Sequence, residues 1–183
     1  VQKWLPYPQQ RKDEMTDYAR RHYGIASAHV DPQVIVVHFT ESDTAAAAYN
    51  TFAADVPNRG ELPGTCAHFI VDQDGTVYAT VPTDLMCRHA IGLNHVAIGI
   101  EIVQATHGHT STWAEQQILA RPAQIDAVLR LVRELQARYG IGAGDVIGHA
   151  MANGHRLFVD KLGWRNDHTD WSAASIAVLR QRL

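Results

Sequence analysis

Two histidines follow directly on short β-rich runs in this sequence. His38 closes Val34-Ile35-Val36-Val37, and His149 follows Val146-Ile147-Gly148. In open α/β sheets, ligands bind beyond the carboxyl ends of the strands, so both histidines stand where a site would form. An acidic third group is available at Asp170, within Asn166-Asp167-His168-Thr169-Asp170-Trp171. Two imidazoles and one carboxylate would leave a bound zinc ion with net positive charge and an open position for water. That charge polarises a carbonyl and brings the pKa of a water toward neutrality, which is hydrolase chemistry. A hydrogen-bonded rim histidine leaves the same mark in sequence, so strand-end placement does not decide alone. Glu101 is a candidate on separate grounds. A single carboxylate inside Ile98-Gly99-Ile100-Glu101-Ile102-Val103 is costly to bury unless it meets a cation or faces a wet site. A buried ion pair is the other reading of Glu101.

Composition narrows the function classes. The 183 residues are 46% hydrophobic and 19% charged, which is a globular balance and about one domain of material. A net charge of -3 argues against a nucleic-acid footprint or a polybasic membrane anchor. No apolar run approaches the ~20 residues needed to span a bilayer. The chain opens on Val1, so a trimmed or processed start is expected. Eleven histidines against two cysteines is an unusual ratio, and histidine is the commonest metal ligand and proton shuttle near neutral pH. Cys66 and Cys87 allow at most one intrachain bridge, and two free buried thiols are the alternative. The Walker loop, the G-x-S-x-G elbow, H-E-x-x-H and paired C-x-x-C are all missing.

The elements that must carry these residues alternate between strand and helix. A helix is expected over about Asp13–His22 with Gly24 as its stop, and another over Thr44–Asp55 with Asp43 or Thr44 as cap. Ala67–Val71 and Thr76–Val81 read as a hairpin around Asp72-Gln73-Asp74-Gly75. Val96–Val103 reads as a second buried strand. Ile125, Leu129, Val132 and Leu135 recur at helical steps and predict a helix over Pro122–Tyr139, ended by Gly140. Asp145–Gly148 reads as a short strand and Ser172–Leu183 as a closing helix. The fold class is therefore α/β, a single domain with a mixed central β-sheet flanked by helices.

The ordered series Val36-Val37-His38-Phe39-Thr40, Ala67–Tyr78, His89-Ala90, Ile98-Gly99-Ile100-Glu101 and Val146-Ile147-Gly148-His149 resembles the zinc-dependent N-acetylmuramoyl-L-alanine amidases. The likeness is to the type 2 family shared with peptidoglycan recognition proteins, and it runs from about Val34 to Trp171. It implies a catalytic domain over 34–183 with residues 1–33 as an N-terminal extension packing on it. It implies Zn²⁺ held by His38, His149 and a third ligand, with Glu101 as general base. The family's third ligand, an aspartate or cysteine two positions after a catalytic lysine, falls on Asp170, and the lysine position falls on His168. A histidine in place of that lysine is a departure, as are the longer loop from His149 to Asp170 and Trp171 in place of the usual Pro-Gly. Residues i and i+2 of an extended segment face one side, so either His168 or Asp170 could be the ligand. His168 would then be a catalytic group, stabilising an oxyanion while protonated or donating to the leaving amine. The implied partners are peptidoglycan or muropeptide fragments, with the protein acting as a monomer, secreted or in the cell envelope, the cytoplasm remaining the alternative. A binding module of the same fold without catalysis is the rival function. His68 and His89 match family positions near the groove, with structure and substrate contact both open. His107-Gly108-His109 resembles a metal-ligand doublet but is expected in a solvated loop, His95 and His155 are expected as loop residues with His155 within reach of the groove, and Trp113, Trp164 and Trp171 are expected in core, rim or groove.

Overall fold

The computed structural model describes residues 1–183. In chain order the elements are α1 (Gln9–Tyr23), β1 (Val34–Phe39), α2 (Ala45–Ala53), β2 (Phe69–Val71), β3 (Val77–Ala79), β4 (Ala97–Ile102), α3 (Ser111–Leu119), α4 (Pro122–Tyr139), β5 (Val146–Gly148) and α5 (Ala173–Gln181). All six residues of β1 are buried, as a strand apolar on both faces requires. It lies inside one sheet of order β3-β2-β4-β1-β5. Parallel pairing joins β1 to β4 and β5, and β2 to β4, while β3 closes the edge antiparallel to β2. Gly75, at φ +88, supplies the left-handed residue of the turn between β2 and β3.

The two faces of the sheet separate by the period of two. Ile35, Val37 and Phe39 of β1, with Ile98, Ile100 and Ile102 of β4, enter a core of 21 buried residues that includes α3, α4 and α5. Val34, Val36, Ala97 and Ile147 face the other way, into a smaller cluster with Ala90, Leu93 and Ala152. His38 and Glu101 take the parity of this second face and are register partners across β1 and β4. On the same side, α2 covers Ile70 with Ala45, Ala48 and Phe52. Met15, Tyr18, Ala19 and Tyr23 of α1 pack with Met86. Buried Arg11 of α1 donates to the Pro6, Phe52 and Thr65 carbonyls and pairs with Asp55 at 3.1 Å, tying α1 to the loop after α2.

α4 begins with Pro122 in its first turn and ends at Gly140, at φ +69, as its pattern predicts. α3 lies in a stretch where the sequence pattern predicts no helix, and Thr110 caps it by accepting from the Trp113 N–H. Its buried Glu115 accepts from the Ser172 N–H and Oγ, both at 3.1 Å, and from Ser175 Oγ. That carboxylate anchors the start of α5. Cys66 and Cys87 form a disulfide with Cα atoms 5.6 Å apart. No helix is long and apolar enough to cross a membrane.

Candidate metal centre and active-site groove

His38 sits near the end of β1, and the chain leaves β5 directly into His149. Asp170 reaches them from the opposite direction, because the segment before α5 crosses the end of β5. Ala150 N–H donates to the Asp170 carbonyl at 2.9 Å. This crossing depends on Gly148, where an added Cβ would stand 1.8 Å from the Trp171 carbonyl oxygen. Trp171 itself is fully buried and holds φ +58, a left-handed conformation rare for a bulky residue. Strain of this kind persists only where surrounding structure over-determines it, here immediately beside Asp170.

The three side chains converge. His38 Nδ1 and His149 Nδ1 are 3.1 Å apart, and the Asp170 carboxylate oxygens lie 3.4 Å from the first and 3.2 Å from the second. All three residues are buried, and they make up a group of donor type N, N, O able to hold a metal ion. His168 lies outside this group. Its ring stacks on His149 at 4.5 Å with a 15° interplanar angle, its Nδ1 is 3.9 Å from Asp170, and its side chain is 64% exposed.

The remaining ring nitrogens of the two histidines also have partners. His38 Nε2 is 3.1 Å from His89 Nδ1, and His149 Nε2 is 2.9 Å from Asn166 Oδ1. Glu101 lines the same groove, yet its Oε2 is buried with no hydrogen-bond partner. Burial, and secondly the charge of Asp170, push its carboxyl up to about 8. The ion-pair reading of Glu101 therefore fails, since no cationic side chain meets it. Burial and then the neighbouring His149 pull His38 down to about 4, against the pull of Asp170, so the ring is neutral near pH 7. Burial followed by His149 lowers His168 as well.

These groups open into a groove of about 510 Å³ whose walls include Tyr18, Arg59, Arg88 and Thr65. Arg88 donates to the carbonyls of Asn58, Glu61 and Pro63 and so braces one wall. None of the tryptophans lines the groove. Trp171 is core, Trp113 packs against the larger core, and Trp164 lies edge-on to His22. His107 and His109 are exposed, as expected of that loop.

A family model described as N-acetylmuramoyl-L-alanine amidase matches residues 15–171, well over half of the chain. The chain belongs to the N-acetylmuramoyl-L-alanine amidase family. The fold agrees with that of solved relatives. A mutant endolysin from Bacillus subtilis is 22% identical with a TM-score of 0.55, covering 84% of this chain and 85% of that one. The N-acetylmuramoyl-L-alanine amidase LysC from Clostridium intestinale URNW is 22% identical with a TM-score of 0.55, covering 83% and 87%. AmiD from E. coli, solved with anhydro-N-acetylmuramic acid-L-Ala-D-gamma-Glu-L-Lys, is 24% identical with a TM-score of 0.51, covering 67% of this chain and 50% of that one. No curated protein sequence matches.

The sequence pattern of this amidase does not single out Asn166, and it leaves His89 open between structure and substrate contact. Two glycines carried a signal. Gly99 stands in the interior of a buried strand, where glycine marks close approach of another group. Here that group is the His89 ring, 2.7 Å from where a Cβ would be. Gly148 marks the crossing of Trp171 in the same way. Asn166 lies in a long loop with no pattern to single it out.

Proposed function

We propose that this enzyme is a zinc hydrolase that cleaves the amide between the lactyl group of N-acetylmuramic acid and the L-alanine of peptidoglycan stem peptides. The observation that carries the reading is the spacing of the three donor atoms, 3.1, 3.2 and 3.4 Å. Tetrahedral zinc bonds of about 2.0–2.1 Å put ligand atoms about 3.3–3.4 Å apart, so His38, His149 and Asp170 suit the ion as they stand. When bound, zinc polarises the scissile carbonyl and makes water acidic enough to attack near neutral pH.

The chain's own groups supply the rest. In its ionised form, which the positive charge of a bound zinc would favour against the burial that raises the carboxyl to about 8, Glu101 takes the proton of the attacking water at Oε2, the oxygen left without a partner. The carboxylic acid so formed gives that proton to the alanine nitrogen as the C–N bond breaks. His168, stacked on His149 at the groove edge, donates an N–H toward the oxyanion that develops on the carbonyl oxygen. A module that only binds the wall needs neither the full donor set nor an unpartnered carboxylate, which favours hydrolysis over that rival.

The fuller expectations are proposals of the same reading. Residues 34–183 form the catalytic domain, with 1–33 packed on it and Tyr18 in the groove wall. Action as a monomer belongs to the same proposal. The disulfide fits an oxidising compartment and hence a secreted or envelope location. Elemental analysis after zinc loading tests the metal set. One zinc per chain is expected in wild type and in His168→Ala, and loss in His38→Ala, His149→Ala and Asp170→Ala. Full zinc in His38→Ala, or loss in His168→Ala with Asp170→Ala unaffected, would overturn the assignment.

A further inference from the structure

We propose, on the zinc reading just given, that His89 and Asn166 are positioning residues that fix which ring nitrogen His38 and His149 present to the metal. Backbone atoms, whose donor and acceptor roles are fixed, set the roles of the side chains next to them. His89 Nε2 is 3.4 Å from the carbonyl oxygen of Ala97, which can only accept. A neutral His89 therefore carries its proton on Nε2 and offers a lone pair at Nδ1. His38 Nε2, 3.1 Å from that lone pair, must be the donor. The proton of His38 is thus on Nε2, and its Nδ1 is a bare acceptor.

The second histidine is fixed by the same logic from Ile91. Its N–H donates to Asn166 Oδ1 at 2.9 Å, and its carbonyl accepts from Asn166 Nδ2 at 2.9 Å. Backbone groups cannot exchange these roles, so the Asn166 amide has one orientation. Asn153 locks it further, since its Oδ1 accepts from Asn166 N–H at 2.9 Å and from Nδ2 at 3.1 Å. Oδ1 is then the atom 2.9 Å from His149 Nε2, which must donate to it. His149 Nδ1 is likewise left bare.

Two bare nitrogens 3.1 Å apart, both against a carboxylate, are three acceptors with no proton among them. Only a cation satisfies all three. The wiring prepares the centre for metal from Ala97 and Ile91 outward, and Gly99 gives the His89 ring the room to take part. His89 is thereby assigned to the metal centre through His38.

Ring ¹H–¹⁵N correlation spectra of the metal-free protein near pH 8, and zinc affinity by chelator competition, test the proposal together. Wild type is expected to hold both His38 and His149 as Nε2–H tautomers. His89→Leu removes the acceptor and should weaken zinc by about 10–100-fold, the usual effect of losing such an outer partner. His89→Asn puts a carbonyl oxygen close to where Nδ1 stands and should return affinity to within a few-fold of wild type. Should His89→Leu fail to fold, Asn166→Leu at the half-exposed rim must weaken zinc likewise through His149. A proton on Nδ1 of either histidine in wild type, or undiminished zinc affinity in a folded His89→Leu or Asn166→Leu, would overturn the wiring. Nε2–H tautomers in a wild type that takes up no zinc would support the wiring and overturn the metal reading instead.

Discussion

At Glu101 the fold keeps one carboxyl oxygen out of water with no donor to satisfy it, and that cost is testable without any substrate. Folding raises this group from the ordinary 4.5 to about 8. Its contribution to stability is therefore fully present below pH 4.5 and is lost as pH rises through 8. Glu101→Gln should raise the melting temperature of the metal-free protein at pH 8 by a few degrees and leave it little changed at pH 4.5, since about 1 kcal/mol moves a domain of this size by about 2–4 °C. The same variant should keep zinc and lose about 10²–10⁴-fold in turnover. A lower melting point at pH 8, or wild-type rates, would remove Glu101 from the role of base. His168 brings a second pH effect. Its pKa lies below the usual 6.5, so a requirement for its charged form makes the rate fall as pH rises through that lowered value. Lysine at this position has a reference pKa of about 10.4, so His168→Lys should carry the alkaline limb upward by more than one unit. An unshifted limb in the pH–rate profile of a zinc-replete variant would reject the charged role. At this scale His38, His149 and Glu101 were legible because strand ends and lone buried acids are local patterns. Asn166 was not, since its partners are backbone atoms 75 residues away.

Among the elements, two strand glycines carry the burden of letting other groups come close. Gly148→Ala would set a Cβ 1.8 Å from the Trp171 carbonyl, and no side-chain rotation relieves a clash with backbone. The 170–171 crossing must shift, so the variant should lose at least about 1–3 kcal/mol of stability, the usual cost of overpacking, and bind zinc more weakly. Chemical denaturation and chelator competition measure both effects, and an unaltered protein would show that the crossing does not position Asp170. Element types were readable where periodicity was long. The Ile125, Leu129, Val132, Leu135 series predicts α4 with its observed ends, and the Asp-Gly turn predicts the hairpin. α3 escaped because nine residues make a weak helical pattern, and it follows a His/Gly/Thr/Ser stretch that reads as loop. Its signal was the Thr110 cap. The crossing of Trp171 over β5 is tertiary, and only Gly148 hinted at it.

Across the whole molecule, the sheet brings two histidines from adjacent strands and a carboxylate from a distant loop to one point, and the groove above it is polar enough for a peptide. The order of motifs along the chain disclosed this architecture, because parallel strands place their carboxyl ends together whatever lies between them. The disulfide and the anchoring of α1 through Arg11 were beyond reach, since both depend on which loops meet. The proposed hydrolysis of the lactyl–alanine amide with zinc is open to direct measurement. The most direct measurement follows anhydro-N-acetylmuramic acid-L-Ala-D-gamma-Glu-L-Lys by mass spectrometry with the zinc-loaded protein. The account predicts release of a tripeptide with a free L-alanine amine and of anhydro-N-acetylmuramic acid. That release should stop on chelation, resume on zinc addition, and be absent in His38→Ala. An intact substrate with the zinc-loaded wild type, or undiminished cleavage by His38→Ala, would contradict it.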